Sequence, residues 1–280
     1  MFVELIYTLR RNRGQIFGWS LGLVLYSALM SSMYSDIALI DFDAFLGYYP
    51  EDMLAFFGES FTAISSPHGY LDLYFFGYMT IIVGIFAVGA GAKLIVKDEE
   101  DGLLDLILAY PKSRSAVFWG RVFGYILTIM SILIVAWLSW AIPSGSTGLD
   151  LTAGELLKPF WGLAGQLLLF GSFALLLSML LPAVRIASMI TGGLLVGNYL
   201  LIGLANINQD LKSIVEYTPL HIYQGGYAIL GIDWDKLMII FGGILLFLLL
   251  AWWRFLLRDL RVAGEGGWKL MEIFSLKNKK

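Results

Sequence analysis

Few side chains in this sequence could do chemistry. There is no cysteine, which removes thiol nucleophiles, thiolate metal sites and disulfides together. The two histidines, His68 and His221, occur without a His-Glu-x-x-His pattern. Each reads better as a turn or interface residue than as a catalytic base or metal ligand. Gly145-Ser146-Thr147-Gly148 lacks the spacing of a nucleophile elbow and reads as a loop. Gly89-Ala90-Gly91-Ala92-Lys93 is glycine-rich but lacks the Gly-x-x-x-x-Gly-Lys spacing that cradles phosphates, so it reads as helix packing. No catalytic residue and no metal site is assigned. What remains are polar side chains set in apolar runs. Gln166 and Asn198 are costly to face lipid, so with Tyr199 they are candidates for lining a path or for bonding another helix.

Charge concentrates in one stretch, residues 97–114. It opens on four consecutive acids, Asp98 to Asp101, passes Gly102, runs through leucines and stops at Pro111. Acids at a helix start favour the helix dipole, and the residue before a proline avoids the helical region. A short helix ending near Tyr110 is therefore expected, with Ser113 or Ser115 capping the helix that follows. Leu103, Leu106, Ile107 and Tyr110 recur at helical spacing. They are too many to face water alone, and they suit either the surface of a membrane or a soluble partner.

The elements around this stretch are set by composition. Apolar residues make up 58% of the 280 and charged ones only 15%, with a mean hydropathy of +0.75. Soluble domains carry about 25% charged residues, so this is an all-α membrane protein. Six runs are long enough to span a bilayer at about 20 residues each: 16–34, 73–92, 122–142, 160–181, 186–205 and 237–253. None holds an ionisable residue other than tyrosine, which argues against proton or sodium coupling within the spans. The loops between spans at 35–72, 143–159 and 206–236 hold only three of the 19 lysines and arginines. By the positive-inside rule both termini are cytoplasmic and these three loops lie outside. Loop 35–72 is acidic, with Asp36, Asp41, Asp43, Glu51, Asp52, Glu59 and Asp72.

Residues Phe2–Arg11 suit a separate amphipathic helix on the inner surface, with Leu5, Ile6 and Leu9 toward lipid. Arg10-Arg11 precedes Asn12-Arg13-Gly14 rather than an apolar run, so an export signal is not expected. Glycine pairs at Gly18/Gly22, Gly120/Gly124 and Gly193/Gly197 have the spacing of close helix crossings. Trp137 and Trp140, and Trp252 and Trp253, fit aromatic belts at the two membrane boundaries.

Glu99-Glu100-x-Gly102-x-Leu104-x-x-Ile107-Leu108-x-x-Pro111-x-Ser113-Arg114 resembles the signature between spans two and three of ABC-2 type transporter permeases. Leu103 stands where the family usually has threonine. The six-span layout resembles the family over the whole chain, residues 1–280 as one permease domain. Tyr217-Thr218-Pro219-Leu220 with Tyr223 and Gly225-Gly226 is a weaker second likeness. The resemblance implies a coupling helix, with Glu99, Glu100, Gly102, Leu103, Leu106, Ile107, Pro111 and Arg114 meeting an ATP-binding subunit. It also implies two such subunits, a second permease chain, and a path lined by spans one, two and five. Gly225-Gly226 with Tyr217, Tyr223 and Tyr227 suits a bent, amphipathic element over 207–230 that dips into the outer leaflet and caps this path, with an ordinary loop as the alternative. The chain itself would bind no cofactor, the partner using ATP and magnesium, and no nucleic acid is involved. The function implied is export across the plasma membrane of a hydrophobic or amphipathic molecule such as a drug, antibiotic or lipid. A non-transporting scaffold or sensor beside an ATPase, or half of a secondary transporter, remains open.

Overall fold

The computed structural model describes residues 1–39, 54, 56, 61, 63–110 and 112–257. Most acids of loop 35–72 (Asp41, Asp43, Glu51, Asp52 and Glu59), together with Pro111 and the basic tail from Arg258 onward, lie outside the described residues. Among the described residues six helices are long and apolar enough to cross a membrane: α1 (Phe2–Ala38), α2 (Pro67–Lys93), α5 (Arg114–Ala141), α6 (Ala153–Leu180), α7 (Val184–Ile207) and α10 (Trp234–Leu257). Between α2 and α5 lie two short helices, α3 (Val96–Glu100) and α4 (Leu104–Ala109). Between α7 and α10 lie α8 (Lys212–Val215) and α9 (Pro219–Ile222). The start of α1, α3, α4 and the end of α10 share one end of the bundle, called here the basic end.

Each of the six expected spans overlaps one of the long helices, and two of them, 122–142 and 160–181, run one residue past the end of theirs. At its start α5 is longer than expected and carries Arg121 inside it. The central helix is α6, with 83% of its apolar window buried, and α2, α5 and α10 pack around it. Glycine makes the closest approach possible. A Cβ on Gly91 of α2 would lie 2.2 Å from the Gly171 carbonyl oxygen of α6. Beside that crossing the Tyr125 hydroxyl of α5 donates to the Ala87 carbonyl at 3.1 Å, so three helices share one node. Gly120 and Gly124 seat α1 on α5 as their spacing led one to expect, whereas Gly18, Gly22, Gly193 and Gly197 face open space.

Three expectations are corrected. Residues Phe2–Arg11 do not form a separate surface helix but the first turns of α1, 37 residues and about 55 Å long. The reason is local: Glu4 and Thr8 are buried against Gly120 and Gly124, so this face has a protein partner and no reason to turn away along the membrane. Trp140 is not part of an interfacial belt, because it is fully buried against Phe75 with ring centroids 5.5 Å apart. The four acids do not open the leucine-rich helix. Asp98, Glu99 and Glu100 end α3, Asp101 follows as its C-cap, and α4 begins after a break at Gly102.

At the far end, residues 207–230 fold into short helical turns seated on the spans. Lys158 of α6 donates to the Ile229 carbonyl at 3.0 Å, and Asp72 of α2 accepts from the Gly226 amide at 2.6 Å. Asp72 opens a stretch of π-helix, Asp72–Phe76, that bulges within α2.

Candidate functional site

The geometry of residues 97–114 explains most of the motif. Gly102 has φ +70°, a left-handed conformation that costs L-residues about 1–2 kcal/mol. The Leu103 amide donates to the Asp98 carbonyl at 2.8 Å and the Gly102 amide to Glu99 at 3.0 Å. This crossed pair is a Schellman cap: it satisfies the last carbonyls of α3 and turns the chain into α4. Tyr110 is extended at ψ 154°, as a residue before proline should be, and Ser113 caps α5 by accepting from the Ala116 amide at 3.2 Å.

Within α4 the leucines divide by role. Leu104 is the buried anchor, and Leu108 packs beside it on the core. Leu103, Leu106 (65% exposed) and Tyr110 (69% exposed) point away from the bundle. With Ile107, Lys112 and the Val3 and Tyr7 side chains of α1 they line an open groove of about 330 Å³. Such a concentration of large exposed apolar side chains on one short element is the signature of an interaction surface.

The acids attach this surface to the spans. Glu100 Oε1 accepts from the Val184 amide at 3.1 Å, capping the start of α7, where the N-cap residue Ala183 has no side chain able to do so. Asp98 is fully buried and faces two cations, with Arg11 Nη1 of α1 at 2.6 Å from Oδ1 and Arg121 Nη1 of α5 at 2.7 Å from Oδ2. That Arg121 nitrogen directs its hydrogen bond at the Leu94 carbonyl, 3.2 Å away at the end of α2, so its contact with Asp98 is ionic. Arg121 Nε also meets Glu4 Oε2 at 3.4 Å, and Lys112 meets Glu4 Oε1 at 3.0 Å. Glu99 is buried beside them. Arg114 donates to the Leu256 carbonyl at 3.4 Å, tying the start of α5 to the end of α10.

Of the residues expected here, Glu99, Glu100, Gly102, Leu103, Leu106, Ile107 and Arg114 are brought together at the basic end, and Pro111 lies outside the described residues. Glu4, Arg11, Lys112 and Arg121 belong to the same site and were missed. A charge at the edge of an apolar run reads as a flanking charge. The available hint was that Glu4, Thr8 and Arg11 recur at i, i+4 and i+7, a polar stripe on one helix face.

The three candidate path residues sit elsewhere. Gln166 of α6 and Asn198 of α7 are buried and converge on α9: Gln166 Nε2 donates to the Pro219 carbonyl at 2.5 Å, and Asn198 Oδ1 accepts from the Leu220 amide at 3.0 Å. Each keeps one polar atom, Gln166 Oε1 and Asn198 Nδ2, without a hydrogen-bond partner among the described residues. Tyr199 is half-buried next to Asn198 in sequence and is not joined to either amide by a hydrogen bond. Among the described residues no group of His, Asp or Glu is placed to hold a metal ion.

No curated protein matches the chain. The family model described as ABC-2 family transporter protein matches residues 19–260. Glu4 and Arg11 precede that match. Covering most of the sequence and all six long apolar helices except residues 2–18 of α1, the match places this chain in the ABC-2 family of transporter proteins, as a transmembrane permease.

Proposed function

We propose that the chain is the permease subunit of an ATP-driven exporter and that α3 and α4 form the element through which a separate ATP-binding subunit moves it. Membership of the family implies an ABC ATP-binding partner. The observation that carries the reading is the exposed face of Leu103, Leu106 and Tyr110 on a segment bonded to α1, α5 and α7 at once. A surface patch resting on lipid needs no such anchorage, whereas a lever does. ATP binding can drive transport only by favouring one permease conformation over another, and every tether named here passes a displacement of α3–α4 to a span.

In this reading the basic end is cytoplasmic, two permease chains assemble with two ATP-binding subunits at the plasma membrane, and cargo moves where the two permeases meet. The faces of α1 and α7 that none of the described residues covers suit such a path. Gln166 and Asn198 act on it by holding α9 in place as an outer closure, and Tyr199 lines the approach to it. Cargo is hydrophobic or amphipathic, matching walls with few polar groups. The experiment is purification of the chain from its native membrane in mild detergent, with partners identified by mass spectrometry. An ATP-binding protein at equal stoichiometry is expected. A stable complex without one would favour the scaffold or secondary-transporter readings.

A further inference from the structure

The tethers between α3 and the spans belong to a larger network of five charged side chains at the basic end. Lys112, Glu4, Arg121, Asp98 and Arg11 form an alternating chain in which each acid lies between two cations, at 3.0, 3.4, 2.7 and 2.6 Å in that order. Its two ends reach solvent, while its middle is dry: the Glu4, Arg121 and Asp98 side chains are 6%, 1% and 0% exposed. An exposed pair contributes little, but separating a buried one strands an uncompensated charge. Sliding α1 past α3 and α5 would part Arg11 from Asp98 and Glu4 from Arg121 together, because Glu4 and Arg11 both come from α1, two helical turns apart on one face.

Packing reinforces the same two turns. A Cβ on Gly120 would come within 2.6 Å of the Met1 carbonyl oxygen and 2.8 Å of Glu4 Cβ, and one on Gly124 within 2.6 Å of Thr8 Cβ. Tyr7 lies against the Arg121 guanidinium, 5.9 Å from its ring centroid. Arg121 thus stands on α5 and touches α1, the end of α2, and α3. This matters because α1 is the least buried of the six long helices, with 17% of its apolar window covered.

We propose that Arg121 is a positioning residue that locks the first turns of α1 to α3 and α4, making them one lever that delivers a push on α4 directly to the first span. The proposal rests on the docking reading above. It assigns the first turns of α1, outside the family match, a part in force transmission.

The test uses the complete permease–ATPase complex in lipid vesicles. The chain has no cysteine, so introduced pairs carry spin labels without background from the permease, and the ATP-binding subunit is used in a cysteine-free form. One pair, Ile6→Cys with Asp105→Cys, reports α1 against α4. A second, Asp105→Cys with Ser146→Cys, reports α4 against the far end. Between nucleotide-free and ATP-trapped states the second distance is expected to change, while the first stays fixed to within about 1 Å, less than a typical interface helix shift. Arg121→Met is expected to broaden the first distance and to lower transport per ATP hydrolysed about tenfold, within the range of mutational effects on coupling. Arg11→Gln, which removes only a solvent-facing end of the chain, gives a milder change in the same direction and serves if Arg121→Met does not fold. The lever is overturned if the first distance changes as much as the second in the unmodified network, or if both variants leave it fixed and transport per ATP unaltered. If the second distance never changes, the docking reading itself falls.

Discussion

Replacing Gly102 tests whether the turn between α3 and α4 is a mechanical part. Its φ of +70° lies where side chains are strained. An L-residue there costs about 1–2 kcal/mol, and β-branching adds to that. The narrower unfolded ensemble of the substituted chain returns about 0.4–1 kcal/mol. The net for Gly102→Val is then about 1–2 kcal/mol against the Schellman cap, and each 1.4 kcal/mol is a factor of ten. The expected outcome is a roughly five- to thirtyfold fall in apparent affinity for the ATP-binding subunit, because that affinity scales with the fraction of the segment in its competent shape. Gly102→Asn is the control, since asparagine visits the left-handed region with little strain. The assay is ATPase binding to permease vesicles, with transport per ATP measured alongside. If valine and asparagine behave alike, backbone conformation is not why glycine stands there, and the reasoning is wrong.

Other substitutions probe the remaining contacts. Glu100→Ala removes the acceptor at the start of α7 and should cost about 1 kcal/mol, as loss of a helix cap does; hydrogen exchange at the first amides of α7 should rise, and unchanged protection would refute the cap. Gly225→Ala meets both a φ of +56° and Asp72 Oδ1 at 1.9 Å, so the Gly226–Asp72 hydrogen bond should break and proteolysis between α9 and α10 should accelerate. Gly171→Ala puts a Cβ 1.8 Å from the Tyr125 hydroxyl and 3.1 Å from the Ala87 carbonyl. It should lower the unfolding temperature in detergent by several degrees, an overpacking penalty of about 1–3 kcal/mol, and Gly171→Ala with Tyr125→Phe should recover part of it.

The six spans were legible because a bilayer imposes length and apolarity on each segment independently of how they pack. The turn at Tyr110 and the Ser113 cap were legible for the same reason: proline and serine act on their immediate neighbours. The placement of the acids was not, because the rule that acids favour helix starts says nothing about where a glycine in the left-handed region will cut the helix. Glu4, Arg11 and Arg121 escaped because a buried ion pair is a tertiary fact. Each of those residues, taken singly, looks like an ordinary charge at a membrane boundary. Trp140 shows the same limit from the other side, an aromatic at belt height that faces Phe75 because of where α2 passes. Gln166 and Asn198 were recognisable as buried amides, but α9 as their shared partner depended on a loop returning to the spans.

The most direct measurement of the central claim is site-specific photo-crosslinking from position 106 in native membranes, with the photoreactive residue replacing Leu106 on the exposed face of α4. The account predicts a crosslink to an ATP-binding protein that weakens or shifts when ATP is trapped. Adducts confined to lipid, with the ATP-binding protein present and no protein captured, would contradict it.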